Sequence, residues 1–235
     1  MNTTALLSVK QIHKKYNEDM SNEVHVLKGI EFSIPPGQMT AIMGPSGCGK
    51  TTLLNLIGGL DGLSQGDILI DGKSIVEMSD KDLTNFRRDN VGYIFQLFNL
   101  FDDQTSLENV SLPLLLQEIN PIEAKQKAKM FLQEVGLGDR FNDVPSRLSG
   151  GEQQKVAIAR TLVTRPRIIL ADEPTGDLDI STSDDIMALF RRMQNENQGM
   201  AVIIVTHSSR IANQCDRVIR IENGKVFSDT EVAAS

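Results

Sequence analysis

Apolar residues along the chain follow two rhythms: unbroken runs of strand length, and longer stretches spaced three and four apart. Runs at 6–9, 30–34, 39–43, 91–95, 168–171 and 202–205 predict strands. Helical spacing predicts helices over 51–60, from Ser79 to about Arg88, and through 106–135. A further helix of about 14 residues fits between 171 and 202. Ser79-Asp80-Lys81-Asp82 resembles a capping box, and Asn120-Pro121 divides the long helical stretch because proline suits the first position of a new helix. Asp71-Gly72 closes a hairpin after 67–70. Asn223-Gly224, between 218–221 and 226–227, reads as a type I′ turn. Strands and helices interleave from end to end, which predicts an α/β fold. The helix-rich block at about 97–148 lies between strand-rich flanks, so it is expected to be a lobe inserted into a single domain over 6–235.

Composition narrows the setting. A chain of 235 residues, 40% hydrophobic and 23% charged, suits one domain with a real core. Its net charge of −7 argues against nucleic acid as a partner. No apolar run approaches the roughly 20 residues that span a bilayer. The start, Met1-Asn2-Thr3-Thr4, lacks a basic region followed by an apolar stretch, so no secretory leader is expected. The two cysteines, Cys48 and Cys215, form no metal or redox pair by spacing, which makes a reducing compartment the expectation.

Gly44-Pro45-Ser46-Gly47-Cys48-Gly49-Lys50-Thr51 carries the pattern G-x4-G-K-[ST], entered from an apolar strand and left by a helix. Small residues are needed there because backbone N–H groups must wrap phosphate oxygens that a Cβ would hold off. The helix N-terminus adds partial positive charge. Lys50 is placed to reach the β- and γ-phosphates, and the Thr51 hydroxyl to ligate Mg²⁺. Cys48 sits in the same field, which favours thiolate, so alkylation blocked by bound nucleotide is expected.

The strand at 168–171 ends in Asp172-Glu173. In a parallel sheet that end lies beside the phosphate loop. Asp172 is placed to hold the Mg²⁺ shell, and Glu173 to act as general base on the water attacking the γ-phosphate.

Leu148-Ser149-Gly150-Gly151-Glu152-Gln153-Gln154 is more discriminating. Ser149 is suited to cap a helix whose free N–H groups, with Gly150 and Gly151, make a second anion site. With the two motifs before it, this string resembles the signature of ABC ATPases, and the resemblance runs from about Leu6 to Phe227. It implies a P-loop core with an antiparallel β subdomain and an inserted helical subdomain, hydrolysing ATP with Mg²⁺. It further implies a homodimer formed head to tail on ATP binding, with Ser149, Gly150, Gly151 and Glu152 facing the nucleotide of the opposite subunit. Glu152 stands where many family members carry Gln, which leaves the hydrolysis rate open.

The same resemblance assigns adenine stacking to Tyr16 and adds Thr52 to the nucleotide-binding set of residues 44–51. Gln96 matches the glutamine that contacts Mg²⁺ or the attacking water and reports to the membrane partner. Asp179, in Thr175-Gly176-Asp177-Leu178-Asp179, matches the acidic turn that crosses the dimer interface. His207 matches the histidine that contacts the γ-phosphate. His13 and His25 receive no role.

Strings such as Asn55-Leu56-Ile57-Gly58-Gly59-Leu60-Asp61 and Glu108-Asn109-Val110 resemble the subgroup serving lipoprotein release, macrolide and peptide export, and cell-division complexes. That resemblance implies a separately encoded integral membrane permease, a peripheral position at the cytoplasmic face of the membrane, and export or mechanotransmission of a lipoprotein, peptide or drug-like substrate. The alternative within the family is a non-transport ATPase regulating a cell-division or envelope complex. Types acting on DNA carry a long coiled coil between phosphate loop and signature, and ribosomal types carry two cassettes; this chain has neither. The apolar residues Leu97, Phe98, Leu100 and Phe101 after Gln96 are expected to include anchors for a cytoplasmic helix of the permease.

Overall fold

Every residue of three runs, Met39–Met43, Ile168–Asp172 and Ala201–Val205, is buried. A strand without a polar face belongs inside a parallel sheet covered on both sides, and that is where these lie. The computed structural model describes residues 5–18, 20–176, 178–196 and 199–232; the start at 1–4 and Asp177 of the acidic turn lie outside the described residues. The strands are β1 (Leu7–Tyr16), β2 (Val24–Ile34), β3 (Met39–Met43), β4 (Gln65–Ile70), β5 (Lys73–Ser74), β6 (Val91–Ile94), β7 (Ile168–Asp172), β8 (Ala201–Val205), β9 (Arg217–Glu222) and β10 (Lys225–Glu231). The helices are α1 (Lys50–Ile57), α2 (Asp80–Asn90), α3 (Ser106–Leu116), α4 (Pro121–Glu134), α5 (Gly150–Leu162), α6 (Ile180–Glu196) and the short α7 (Ser209–Ala212). No helix among the described residues is long and apolar enough to cross a membrane.

The larger sheet runs β10-β9-β3-β8-β7-β6, parallel except for β10, and the smaller runs β2-β1-β4-β5, antiparallel throughout. Alternate residues of the central strands divide between two cores, as the period of a strand requires. Met39, Ala41, Ile169, Ala171, Val202 and Ile204 join the core shared with α3, α4, α5 and α6. Ile42, Ile168, Leu170, Ala201, Ile203 and Val205 join the core shared with α1 and the antiparallel sheet. The parallel sheet is therefore the middle layer. Its register places Ile42 beside Val205, Val205 beside Asp172, and Ala171 beside Ile94. Four strands thus end level, and the loops leaving them meet along one edge.

The structure corrects several sequence expectations. β1 runs to Tyr16 rather than ending near Val9, and β2 begins at Val24 rather than Ile30. Irregular pairing between Val9 and Ile12, with Gln11 at φ 45°, breaks the alternation that would have marked the long strand. α1 stops at Ile57 rather than Leu60, because Gly58 caps it and Gly59 turns left-handed at φ 62°. Ser79 caps α2, but the full reciprocal box is absent: the Asp82 carboxylate accepts from the Ser79 hydroxyl at 2.6 Å. Asp is one methylene shorter than Glu. True boxes form at Thr105/Glu108 and Ser149/Glu152. The helix between β7 and β8 has 17 residues. At the C-terminus, Asn223 and Gly224 both take positive φ, 51° and 77°, as a type I′ turn demands.

Candidate functional site

The loop leaving β3 wraps onto α1, and its glycines are there for different reasons. At Gly47, φ is 76°, a conformation that an L side chain rarely adopts. At Gly44 a Cβ would overlap the backbone oxygen of Ile221 and stand 2.7 Å from Cys48 Sγ. The loop therefore sits directly on the end of β9. Lys50 Nζ donates to the carbonyls of Gly44 at 2.8 Å and Pro45 at 3.0 Å, so its ammonium lies over the loop.

A cavity of about 300 Å³ opens beside this loop and gathers residues from four strand ends. Ser46, Gly47, Lys50 and Thr51 come after β3, Gln96 after β6, Asp172 from the end of β7 with Glu173 just after it, and His207 after β8. The Thr51 hydroxyl donates to Asp172 Oδ2 at 2.8 Å. Burial raises the Asp172 carboxyl above its ordinary range; the Thr51 hydrogen bond opposes this and nearby Glu173 reinforces it. His207 Nδ1 lies 3.0 Å from Glu173 Oε1. An ionised carboxylate only accepts, so the ring nitrogen is the donor. Glu173 holds a left-handed φ of 47°, fixed by its own N–H to Val205 O at 3.0 Å and by the Gly176 N–H to its carbonyl at 3.1 Å. Such backbone costs about 1–3 kcal/mol and persists only where its surroundings hold it.

Cys48 corrects an expectation. Its thiol is only 8% exposed and belongs to the apolar core beneath the loop. Cys215 is buried too, which pushes its thiol up to about 12. In the native protein, iodoacetamide is expected to modify neither cysteine appreciably, with or without nucleotide. Denaturation should expose both, readable as intact mass; rapid native labelling that ATP suppresses would put Cys48 back in the cavity.

Tyr16, at the end of β1, is not among the residues lining that cavity and is held by residues that the motifs do not name. Its hydroxyl donates to Asp61 Oδ2 at 2.9 Å, and Lys14 Nζ stands 4.6 Å from the ring centroid. Lys14 also donates to Asp61 Oδ1 at 2.8 Å and to Gly62 O at 2.7 Å. Burial works to raise the Asp61 carboxyl, but hydrogen bonds from Lys14, Tyr16 and the Gly62 amide outweigh it and hold the group low. Thr52 lies within hydrogen-bonding reach of the Tyr16 hydroxyl. The ring is thus braced against the first turn of α1. The only sequence signal for this brace was Asp61 in the subgroup string.

The signature residues are elsewhere. Ser149, Gly151, Glu152 and Asp179 line a second cleft of about 280 Å³, with Gly150 at the start of α5 beside them. Asp179 accepts from the Thr182 N–H at 3.0 Å and the Thr182 hydroxyl at 2.6 Å, and so caps α6. The Glu152 carboxylate is turned onto Ser149 rather than outward. Among the described residues, those lining this cleft and those lining the phosphate-loop cavity are separate sets.

A third hollow, about 420 Å³ and largely apolar, is lined by Tyr93, Phe95, Phe101, Leu112, Leu116 and Arg160 among others. Phe101 is half-exposed there. Phe98 is directed elsewhere, its Cζ 3.8 Å from where a Gly150 Cβ would stand, while Leu100 packs on the core and Leu97 is 77% exposed. Of the four apolar residues after Gln96, Phe101 is the one in the hollow. Arg160 of α5 donates to Asn99 O at 2.6 Å and Phe98 O at 3.0 Å, fastening this segment to the signature helix.

The family model for ABC transporters matches residues 27–176. The chain belongs to the ABC transporter family. This cassette is 42% identical over 223 residues to the lipoprotein-releasing system ATP-binding protein LolD of Alcanivorax borkumensis, covering 95% of this chain and 97% of that one. It is also 42% identical over 226 residues to the macrolide export ATP-binding/permease protein MacB of Aggregatibacter actinomycetemcomitans, covering 96% of this chain. The cassette spans only 35% of that longer relative's length. Among solved structures, the dimeric post-hydrolysis state of the ATP-binding cassette MJ0796 bound to ADP and Pi superposes with a TM-score of 0.90 at 39% identity, covering 97% of this chain and 100% of that one.

Proposed function

We propose that this cassette binds MgATP, closes head to tail on a second copy, and so drives a separate integral membrane permease from the cytoplasmic face of the membrane. It is an ABC-type ATPase, converting ATP and water to ADP and phosphate. The observation that carries the reading is the division of the site: one cavity holds the phosphate loop and acidic strand end, and a second cleft of the same chain holds the signature helix. Two copies placed head to tail complete each other.

In this reading Tyr16 stacks on adenine, and the backbone N–H groups of residues 44–52 take the phosphates. Lys50 leaves the loop carbonyls for the β- and γ-phosphates. The donor set of the Thr51 hydroxyl, Asp172 carboxylate and Gln96 amide oxygen is all hard oxygen, and Thr51 and Asp172 already meet at 2.8 Å, which suits Mg²⁺. Thr51, Asp172 and Gln96 would hold Mg²⁺, which would supply positive charge to offset that of the phosphates. Glu173 takes the proton of the attacking water as its oxygen bonds to the γ-phosphorus and the bond to the bridging oxygen breaks; ADP leaves with that oxygen. His207 holds the Glu173 carboxylate in place through Nδ1 and faces the γ-phosphate. Ser149, Gly150 and Gly151 of the second copy cap that phosphate, with Asp179 at the interface.

The helices over about 97–148 form the lobe that contacts the permease, and the hollow at Phe101 accepts one of its cytoplasmic helices. LolD and MacB are named for lipoprotein release and macrolide export. By that likeness the work done is export, or mechanical action on a lipoprotein, peptide or drug-like substrate. The test is reconstitution with the membrane protein encoded beside this chain. Phe101→Ala is expected to leave thermal midpoint and basal ATPase unchanged while weakening permease association about 10-fold or more, as loss of a buried aromatic anchor does. Undiminished association and stimulation would remove Phe101 from the interface.

A further inference from the structure

Glu152 of the signature carries a negative charge where a phosphate is to arrive, and the structure shows how that charge is handled. Its Oε2 accepts from the Ser149 N–H at 2.8 Å and from the Ser149 hydroxyl at 2.9 Å, while Ser149 Oγ accepts from the Glu152 N–H at 3.3 Å. Both protons of Ser149 are committed to one carboxylate oxygen. The other oxygen, Oε1, faces Arg140 Nε at 3.3 Å. Arg140 lies on the loop after α4, with its N–H on Leu137 O at 3.1 Å and its Nη1 3.4 Å from Asp143. Among the described residues, the cleft itself holds two carboxylates, Glu152 and Asp179, against one ammonium, Lys155. An incoming phosphate meets an acidic excess unless Arg140 is counted.

We propose that Arg140 is a positioning residue of the signature site. It holds and charge-compensates Glu152, with Ser149 locked onto that carboxylate, so that the N-terminus of α5 receives the γ-phosphate of ATP bound by a second copy. The inference rests on the head-to-tail reading above. It explains how a carboxylate serves at a position where an uncharged amide would need no such partner. The hydrogen bonds from Ser149 hold the Glu152 carboxyl low, so it keeps its charge and the requirement for a counter-charge with it. As an exposed ion pair, Arg140–Glu152 contributes little to stability, so its removal reads out in assembly rather than folding.

The experiment is a double-mutant cycle in the Glu173→Gln background, following ATP-dependent dimerisation by sizing chromatography. Arg140→Gln is expected to raise the ATP concentration for half-maximal dimer about 10-fold when Glu152 is present, and less than about 2-fold when Glu152→Gln accompanies it, within the range measured for directly interacting pairs. Arg140→Lys, which keeps the charge, should restore most of the loss. ATP affinity of the monomer, measured with a fluorescent analogue, and the thermal midpoint should stay unchanged. Equal losses in both Glu152 backgrounds, or no loss with Glu152 intact, would overturn the role of Arg140. A parent Glu173→Gln protein that stays monomeric at saturating ATP would instead overturn the head-to-tail reading, and this proposal with it.

Discussion

Glu173→Gln is expected to lower ATP turnover about 10²–10⁴-fold, the usual contribution of a general base, while leaving ATP affinity close to that of the native chain. The argument is geometric. Glu173 stands at the end of β7 in the same cavity as Lys50 and Thr51, its carboxylate held by His207 at 3.0 Å and its backbone held left-handed by two hydrogen bonds. Gln is the same size and still accepts from His207, so the loop and the phosphate cradle should not move. Only the capacity to take a proton is lost. ATP then remains uncleaved between two copies, and the protein should elute at doubled mass with ATP and at single mass without it. A variant that turns over ATP at near the native rate would take Glu173 out of the mechanism, whereas slow turnover without dimer would separate its chemical role from assembly.

The parts of this site that could be read from the chain are those set by local rules. The phosphate loop announces itself through glycine spacing, and the buried strands through apolar runs that leave no polar face. The acidic pair Asp172-Glu173 is legible because the strand before it is so plainly internal. Parallel pairing then carries Gly44, Gln96, Glu173 and His207 to one edge without further instruction. What escaped reading depends on contacts between distant segments or on side-chain direction within a turn. Asp61 lies 45 residues from Tyr16 in sequence and meets it only because β1 ends beside the loop after α1. Arg140 reaches Glu152 from another loop. Cys48 illustrates the second kind: its position in the loop suggests exposure to phosphate, yet the turn directs its thiol into the core. Beyond Val9, β1 is not legible in the sequence because its irregular register hides the period that identifies a strand.

Gly44→Ala is expected to cost both stability and function, and the reason distinguishes it from other glycines in the loop. A methyl at Gly44 would run into the Ile221 carbonyl, which belongs to β9 and cannot swing aside as a side-chain end can. It would also press on Cys48 Sγ at 2.7 Å. Overpacking of this kind costs about 1–3 kcal/mol. At roughly 2–4 °C per kcal/mol for a chain of this size, the thermal midpoint should fall by several degrees. The loop must rise off β9 to relieve the clash, carrying the backbone N–H groups and Lys50 with it. Misplacement by about 1 Å of groups that position a reactant can cost about 100-fold, so a loss of ATPase of that order is expected. Gly47→Ala is the comparison: among the described residues beyond its chain neighbours no atom lies within 4 Å of the added carbon, and its φ of 76° is what opposes it. Its stability loss should be about 1 kcal/mol, arising from the backbone alone. Adding Cys48→Ala to Gly44→Ala separates the two neighbours. If the carbonyl is the obstacle, removing the thiol restores little of the thermal midpoint or ATPase rate. Full restoration would mean that the sulfur, and not β9, sets the requirement for glycine at position 44.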